Sequence, residues 1–270
     1  MNFFEKLENI QNKNNSFLCI GLDVDLEKIP PHLQNSDDPI FEFNQSIIDA
    51  TKDLVCAYKP NLAFYEQYGI KGYQALIKTI KHIPENIPII ADAKRGDIGN
   101  TSKAYAKAIF EELCFDAVTV NPYLGHDSFV PFLNYKDKGV FILCLTSNEG
   151  AKDFQIPHHL YLRIAQSIRD WNMNNNCGLV VGATYPEQLK EIRNIAGDLT
   201  FLVPGIGKQG GDIRATIGYG MNSKKCGLII NVSRSIIYAS KEKNFAECAR
   251  KEALKLNELI NKAREEFGIL

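Results

Sequence analysis

Eight short apolar runs, each rich in β-branched residues, recur along this 270-residue chain and restrict its possible folds more than any other feature. The runs span residues 17–23, 54–60, 87–94, 116–120, 139–146, 178–184, 200–207 and 227–233. Segments long enough for a helix separate them, and two of these segments, 41–54 and 185–197, carry apolar residues at helical spacing. Strands that are apolar throughout and alternate with helices predict a parallel sheet covered on both faces.

The number of strand–helix units indicates how this sheet ends. A closed (β/α)8 barrel typically takes about 250 residues, and its active-site residues lie at the carboxyl ends of the strands. The alternative, an open doubly wound sheet, usually carries a G-x-G-x-x-G turn after an early strand, and this chain has none there. No linker-like stretch divides the chain, and residues 243–267 have the pattern of a last helix. The sequence therefore predicts an α/β fold, a single (β/α)8 TIM-type barrel domain over residues 1–270.

Composition argues against several classes of partner and compartment. The chain has 31 basic and 32 acidic residues, so its net charge of −1 offers no electrostatic attraction to nucleic acid or to an anionic membrane. No apolar run approaches the roughly 20 residues needed to span a bilayer, and the N-terminus lacks the core of a signal peptide. Seven cysteines form no C-x-x-C pair, and five histidines show no metal-ligand spacing. We expect a cytoplasmic protein with reduced thiols, no metal and no membrane contact.

Charged residues stand where several predicted strands end. Asp23 closes the first run and Lys59 the second, while Asp92 and Lys94 both belong to the end of the third. A strand rises about 3.3 Å per residue and alternates its faces, so Asp92 and Lys94 are expected on one face, roughly 6.6 Å apart. A single charge at a strand end is ordinarily a solvated surface residue. Charges at the ends of several strands face the same mouth, so the set favours a charged reaction centre there.

A second group of residues indicates a phosphate site. The loop after the seventh run, PGIGKQGG (204–211), supplies glycines whose backbone can approach an anion, and its Gln209 adds a side-chain donor. Arg234 follows the eighth run and could bind phosphate oxygens with two hydrogen bonds. Without a phosphate, the loop would simply be a glycine-rich turn and Arg234 a surface residue. Barrels of this type often bind phosphate with the loops after strands 7 and 8, so the pair favours phosphate.

The stretch DAKRGDIGNT (92–101) resembles the active-site signature of the orotidine 5′-phosphate decarboxylase family. The resemblance extends in order through GLD (21–23), YKPNLAFYEQYG (58–69), TVNPYLGHDS (119–128), LTSNEG (145–150), PGIGKQGGD (204–212) and NVSRSI (231–236). It is strongest to the longer subgroup of that family. Two positions depart from the pattern: Lys208 stands where a small residue is more usual, and Ser233 where many members have glycine.

The resemblance implies the loss of CO2 from orotidine 5′-phosphate (OMP) to give uridine 5′-phosphate (UMP), in pyrimidine biosynthesis and without a metal or organic cofactor. It also implies a homodimer in which Lys59, Asp92 and Lys94 form a chain of alternating charges with Asp97 of a second subunit, and in which Lys94 protonates C6. Thr101 is likewise implied to come from the partner. Further substrate contacts are implied for Asp23, Asn61, Ile98, Ser147, Pro204, Gln209, Gly211, Ser233 and Arg234.

Two other functions fit parts of this pattern. A Mg-dependent phosphosugar decarboxylase or aldolase of the same barrel group would place a metal beside Asp92. A non-catalytic barrel that binds a nucleotide or a phosphosugar would need no reaction centre at all. The stretches 58–69 and 145–150 favour a nucleotide, and the intact lysine–aspartate set favours catalysis. The adjacent His126 and Asp127 could be taken as a metal pair, but a turn leading into the next helix is the simpler interpretation.

Overall fold

Eight parallel strands form one sheet in the computed structural model, which describes residues 1–207 and 211–268. Its hydrogen-bonded order is β2-β1-β8-β7-β6-β5-β4-β3, so strands that are adjacent in sequence are also adjacent in space. The strands are β1 (Leu18–Gly21), β2 (Ala57–Lys59), β3 (Ile90–Arg95), β4 (Ala117–Val120), β5 (Gly139–Leu145), β6 (Cys177–Val181), β7 (Thr200–Val203) and β8 (Leu228–Val232). Six of the eight strands lie within a predicted run, and β3 and β6 each extend one residue beyond theirs.

The two end strands of this order, β2 and β3, meet and nearly close the sheet. Parallel bridges join Tyr58 to Ile89 and Asn61 to Asp92, and the Asp92 N–H donates to the Pro60 carbonyl over 3.0 Å. The predicted (β/α)8 barrel is therefore confirmed, and the open doubly wound sheet is wrong. Because all strands run in one direction, their carboxyl ends share one mouth of the barrel.

Helices follow the strands and cover the outside of the barrel. They are α1 (Phe3–Asn14), α2 (Pro39–Thr51), α3 (Ala63–Glu66), α4 (Gly69–His82), α5 (Gly99–Lys107), α6 (Val130–Leu133), α7 (Ala151–Phe154), α8 (Leu160–Trp171), α9 (Pro186–Ala196), α10 (Ile213–Gly220), α11 (Arg234–Ile237) and α12 (Phe245–Glu266). A π-helical turn, Ala108–Glu112, continues α5, and 3-10 turns occupy Pro122–Leu124, His126–Ser128 and Pro157–His159.

Local signals explain where the predicted helices begin and end. The predicted helix 185–197 is α9, which has Pro186 in its first turn and ends at Gly197, whose φ is +59°. The predicted helix 41–54 is α2, but it starts earlier because the Asp38 side chain accepts a hydrogen bond from the Phe41 N–H and caps the helix. The predicted last helix 243–267 is α12.

The barrel interior and the layer beneath the helices are apolar. Every residue of β1, β2, β4, β6 and β8 is buried, as expected for a parallel sheet covered on both faces. Cys19, Cys56 and Cys144 lie in this core, where burial raises the pKa of each thiol, so they act as small apolar side chains. Among residues 1–207 and 211–268, no helix is long and apolar enough to cross a membrane.

Candidate active site

A cavity of about 450 Å³ opens among the carboxyl ends of the strands. Eight of the residues singled out from the sequence line it: Asp23, Lys59, Asp92, Lys94, Ser147, Pro204, Ser233 and Arg234. They come from the ends of β1, β2, β3, β5, β7 and β8 or from the loops that follow these strands. The prediction that charged strand ends meet at one mouth is therefore confirmed.

Asp92 stands between two ammonium groups in this cavity. Lys59 Nζ donates to Asp92 Oδ2 over 2.7 Å, and Lys94 Nζ donates to Asp92 Oδ1 over 2.5 Å. The side chains of Lys59 and Asp92 are 5% and 12% exposed, whereas that of Lys94 is 49% exposed. One carboxylate thus links a buried cation to a cation that a ligand can reach.

The electrostatics of the cavity keep Asp92 and Lys59 charged. Burial by itself raises the pKa of the Asp92 carboxyl, but the ammonium groups of Lys59 and Lys94 outweigh that effect and hold the pKa well below its usual range. Burial likewise lowers the pKa of the Lys59 ammonium, but the carboxylates of Asp92 and Asp23 more than offset this and raise it. Both groups therefore carry full charge at neutral pH.

The backbone at Lys94 does not have the regular strand conformation that was expected. A regular strand would place both side chains on one face, but Lys94 has a φ of +46°, in the left-handed region. The pairing of β3 with β4 is also irregular: β3 advances from Ala91 to Arg95 while β4 advances only from Val118 to Val120. The prediction that Asp92 and Lys94 converge holds, but the regular strand geometry behind it is wrong.

Two buried acceptors face the cavity without a protein donor. Asp23 Oδ1 and Asn231 Oδ1 have no hydrogen-bond partner among the described residues. Beside them, Ser233 fits against β1 because Gly21 has no side chain: a Cβ there would lie 2.8 Å from Ser233 Cβ. These two acceptors can receive hydroxyl or N–H donors of a ligand.

The opposite wall is formed by the loops after β5 and β7. Ser147 lies close to Gly182, where a Cβ would be 2.8 Å from Ser147 Cα, so glycine is needed for this approach. The Pro204 carbonyl accepts from the Ala183 N–H over 2.9 Å, and this bond holds the start of the loop after β7. Gly211, half-buried, closes the base of that loop by donating to the Gly205 carbonyl over 3.0 Å. Gln209, predicted as a ligand contact, lies outside the described residues.

The loop after β8 completes the mouth. Ser233 Oγ donates to the Gly21 carbonyl over 3.0 Å, so the serine that departs from the family pattern ties β8 to β1. Arg234 begins α11 and is exposed at the cavity. The Ser233 hydroxyl is thus bonded within the protein, whereas the Arg234 side chain is exposed at the cavity and can contact a ligand.

Four more of the predicted site residues, like Gly211, do not line the cavity of this chain. Asn61 is half-buried, and its Oδ1 accepts from the Ala63 N–H over 3.2 Å. Asp97 is half-buried and accepts a hydrogen bond from the Ile98 N–H over 2.8 Å. Ile98 is 56% exposed and Thr101 is exposed. Asp97 and Ile98 lie between β3 and α5, and Thr101 lies in the first turn of α5.

His126 begins a 3-10 turn and packs its ring 4.6 Å from that of Trp171, measured between centroids, so the pair with Asp127 belongs to a packed turn. Within the part of the chain that the structure describes, no three or more His, Cys, Asp or Glu side chains are grouped as metal ligands would be.

Comparison with known proteins agrees with this geometry. Residues 16–248 match the family described as "Orotidine 5'-phosphate decarboxylase / HUMPS family". The chain belongs to this family. Two similar curated members, both named orotidine 5'-phosphate decarboxylase, come from Flavobacterium johnsoniae and Phocaeicola vulgatus. The first is 56% identical over 90% of this chain and 91% of its own length, and the second is 52% identical over 97% and 98%.

Solved structures of the family share the fold. The structure of Leishmania donovani OMP decarboxylase superposes with a TM-score of 0.86 at 39% identity and covers 98% of this chain and 99% of its own. That of Leishmania donovani UMP synthase has a TM-score of 0.88 at 40% identity, and the chain spans 57% of its length. The resemblance predicted from the sequence is thereby confirmed.

Two residues of the site were not singled out from the sequence of this family member. Thr119 Oγ1 donates to Asp92 Oδ1 over 3.2 Å, and Asn231 presents its buried acceptor to the same cavity. Each is a polar residue inside an otherwise apolar strand, β4 or β8. A polar side chain buried in such a strand needs a partner, so its position there was the available signal.

Proposed function

We propose that this chain catalyses the decarboxylation of OMP to UMP in de novo pyrimidine biosynthesis. The observation that carries the proposal is the Lys59–Asp92–Lys94 array, with its buried carboxylate and its accessible ammonium. Membership of the family and the names of its similar members support the same substrate.

The reaction calls for such an array. Loss of CO2 from C6 of the orotate ring leaves an electron pair with no adjacent carbonyl group to receive it. An ammonium group fixed at that carbon, Lys94, stabilises the developing negative charge and then donates its proton to C6. Asp92 accepts a hydrogen bond from the Lys94 ammonium and so helps to hold it in place, and the Asp92 carboxylate would lie beside the substrate carboxylate that departs.

Asp92 and Lys94 would lower the barrier in different ways, by repulsion of the substrate carboxylate and by stabilisation of the carbanion. Two like charges about 4 Å apart, at an effective dielectric near 20, repel by about 4 kcal/mol. Enzymes commonly lower barriers by roughly 8–23 kcal/mol, so repulsion between Asp92 and the substrate carboxylate supplies only part of the effect. Stabilisation of the carbanion by Lys94 carries the larger share.

We propose that the rest of the cavity orients the nucleotide. Asp23, whose Oδ1 has no partner among the described residues, and Lys59 would bind the ribose hydroxyls, with Asn61 nearby. Ser147 would hydrogen-bond the pyrimidine and Pro204 would line its pocket. The phosphate would lie between the loop after β7, with Gln209 and Gly211, and the start of α11, with Ser233 and Arg234.

We further propose that two chains form a homodimer with shared sites, in which Asp97, Ile98 and Thr101 of one subunit complete the cavity of the other. All three lie at the rim of their own barrel rather than in its cavity wall. A two-fold axis makes such an exchange reciprocal.

Exposed apolar side chains on this side of the barrel support the dimer. They belong to the segments that follow β2, β3 and β4, and they are Ile70, Tyr73, Ile77, Ile98, Tyr105, Tyr123 and Leu124. Arg95 connects two of these segments: it forms a 2.5 Å ion pair with Glu66 and lies 5.1 Å from the centre of the Tyr105 ring. Large exposed apolar patches are typical of protein interfaces.

The proposed stabilisation of the carbanion and its protonation need only side chains, so we propose that no metal or organic cofactor takes part. We also propose that residues 1–270 act as one catalytic domain and that the protein is cytoplasmic, in keeping with its seven free cysteines.

A comparison of substrates tests this function. The purified chain, treated with EDTA, is given OMP, and loss of the orotate absorbance is followed together with release of CO2. We expect turnover of OMP that EDTA does not change. A chain that turns over a phosphorylated β-keto sugar acid only with Mg²⁺, and leaves OMP intact, would support the phosphosugar alternative. Binding of UMP without turnover of OMP would indicate a non-catalytic barrel.

A further inference from the structure

One hydroxyl group on β4 is hydrogen-bonded to the part of β3 that carries Asp92 and Lys94. Thr119, on β4, is 2% exposed and lies across from the irregular part of β3. Its Oγ1 accepts hydrogen bonds from two successive backbone groups, the Ala93 N–H over 3.1 Å and the Lys94 N–H over 3.0 Å. It also lies 3.2 Å from Asp92 Oδ1, to which it donates.

These three bonds use the full capacity of the hydroxyl. A threonine hydroxyl has one proton to donate and two lone pairs to accept with. The two amide groups can only donate, and the ionised Asp92 carboxylate can only accept, so the direction of each bond is determined. Although Thr119 borders the cavity, its hydroxyl has no bond left for a substrate.

The backbone at this point needs such an anchor. Lys94 has a φ of +46°, a conformation that residues with a Cβ adopt rarely and at a cost. Lys94 is also exposed, so packing of its own side chain does not hold it in place. The Thr119 hydroxyl binds the peptide N–H of Lys94 and the carboxylate with which the Lys94 ammonium pairs.

We propose that Thr119 is a positioning residue for the decarboxylation: its hydroxyl holds the Ala93–Lys94 turn so that the Lys94 ammonium stays against Asp92 before substrate binds. This inference rests on the proposed function, because it assigns Lys94 as the proton donor. Preorganisation of this kind acts on the chemical step more than on substrate binding.

A set of three variants tests the proposal. Thr119→Val keeps the shape of the side chain and removes the hydroxyl, and Thr119→Ser keeps the hydroxyl. Thr79→Val is the matched control, because Thr79 is buried in α4 and does not line the cavity. Its Oγ1 likewise both donates and accepts: it donates to the Ala75 carbonyl and accepts from Asn44 Nδ2.

We expect kcat for OMP to fall at least about tenfold in Thr119→Val while KM stays within about threefold, the pattern of an interaction that acts mainly in the transition state. Thr119→Ser should retain kcat within about threefold, and Thr79→Val should retain both constants while losing stability. A folded Thr119→Val enzyme with the kcat of the unmodified protein would overturn the proposal, as would equal losses in the valine and serine variants.

Hydrogen exchange of the Ala93 and Lys94 amides gives a readout that needs no substrate. Both amides should be protected in the unmodified protein and in Thr119→Ser, and should lose protection in Thr119→Val, or in Thr119→Ala if the valine chain does not fold. Unchanged protection in the variant that lacks the hydroxyl would refute the anchoring role. An unmodified chain that does not decarboxylate OMP would refute the proposed function instead, and the exchange result would still decide whether Thr119 holds the turn.

Discussion

The ammonium of Lys59 lies 2.7 Å from Oδ2 of Asp92 inside the barrel, and 5% and 12% of the two side chains are exposed. Removing one partner of a buried ion pair leaves an uncompensated charge and costs roughly 3–5 kcal/mol. We therefore expect the pair to contribute to the stability of the barrel mouth as well as to the proposed reaction. Its titration links the stability of the fold to pH.

Replacing Asp92 by asparagine should therefore destabilise the protein in a pH-dependent way. The neighbouring lysines hold the folded-state pKa of Asp92 below the unfolded value of about 3.9. The carboxylate's contribution to the free energy of unfolding is then fully present above about pH 5 and disappears as the pH falls through the folded-state pKa. Urea unfolding of both proteins at several pH values measures it. The stability advantage over Asp92→Asn should be constant near neutrality and should shrink below about pH 4; an advantage that grows in acid would contradict the assignment.

Lys94→Ala should separate catalysis from folding. Because the Lys94 side chain is 49% exposed, we expect a change in unfolding free energy of about 1 kcal/mol or less. The variant should still bind UMP, while kcat for OMP falls by a factor of about 10²–10⁴ or more, since the general acid and the cation at C6 are both lost. Lys94→Arg should also fail, because a guanidinium holds its proton too tightly.

Lys52→Ala is a matched control for this experiment. Lys52 has the same side-chain exposure, 49%, and also pairs with an aspartate, Asp49, but lies at the end of α2 outside the cavity. Steady-state rates and calorimetric UMP titrations of the three variants supply the comparison. Near-normal turnover by Lys94→Ala would remove this lysine from the role of proton donor.

Mixed dimers test whether Asp97 acts across an interface. Inactive Lys94→Ala and inactive Asp97→Ala chains are refolded together, so that each mixed dimer holds one doubly defective site and one site with all its charged residues. Random pairing should restore about a quarter of the activity of the unmodified enzyme. Native mass spectrometry of chains of different mass checks that mixed dimers form. Mixed dimers without recovered activity would show that Asp97 is not supplied by the partner.

Much of this fold can be predicted because buried strands appear in the sequence as continuous apolar runs. A strand of a parallel barrel is covered on both faces, so runs such as 178–184 and 227–233 are apolar throughout, and the parallel direction then places every strand end at one mouth. Asp23, Lys59 and Asp92 could be found in this way, since each lies at or near the end of such a run.

The backbone of Lys94 could not be predicted in the same way. Strand periodicity assumes a regular pleat, whereas the left-handed turn at Lys94 depends on Thr119, which lies on another strand and is brought there only by folding. Ser233 fits against β1 because Gly21 has no side chain, a relationship between residues far apart in sequence. Contacts of this kind follow from register, which residue spacing along one strand does not reveal.

Isotope labels test most directly whether this chain decarboxylates OMP without a metal and with Lys94 as the proton donor. Chelator-treated enzyme is given OMP labelled with carbon-13 in its carboxyl group, in D₂O, and the products are followed by NMR. We expect each OMP consumed to give labelled CO₂ and UMP with a single deuterium at C6, at a rate that EDTA leaves unchanged. We expect Lys94→Ala to give neither product at a comparable rate. Turnover that disappears with EDTA and returns with Mg²⁺, or an OMP that remains intact, would contradict this expectation.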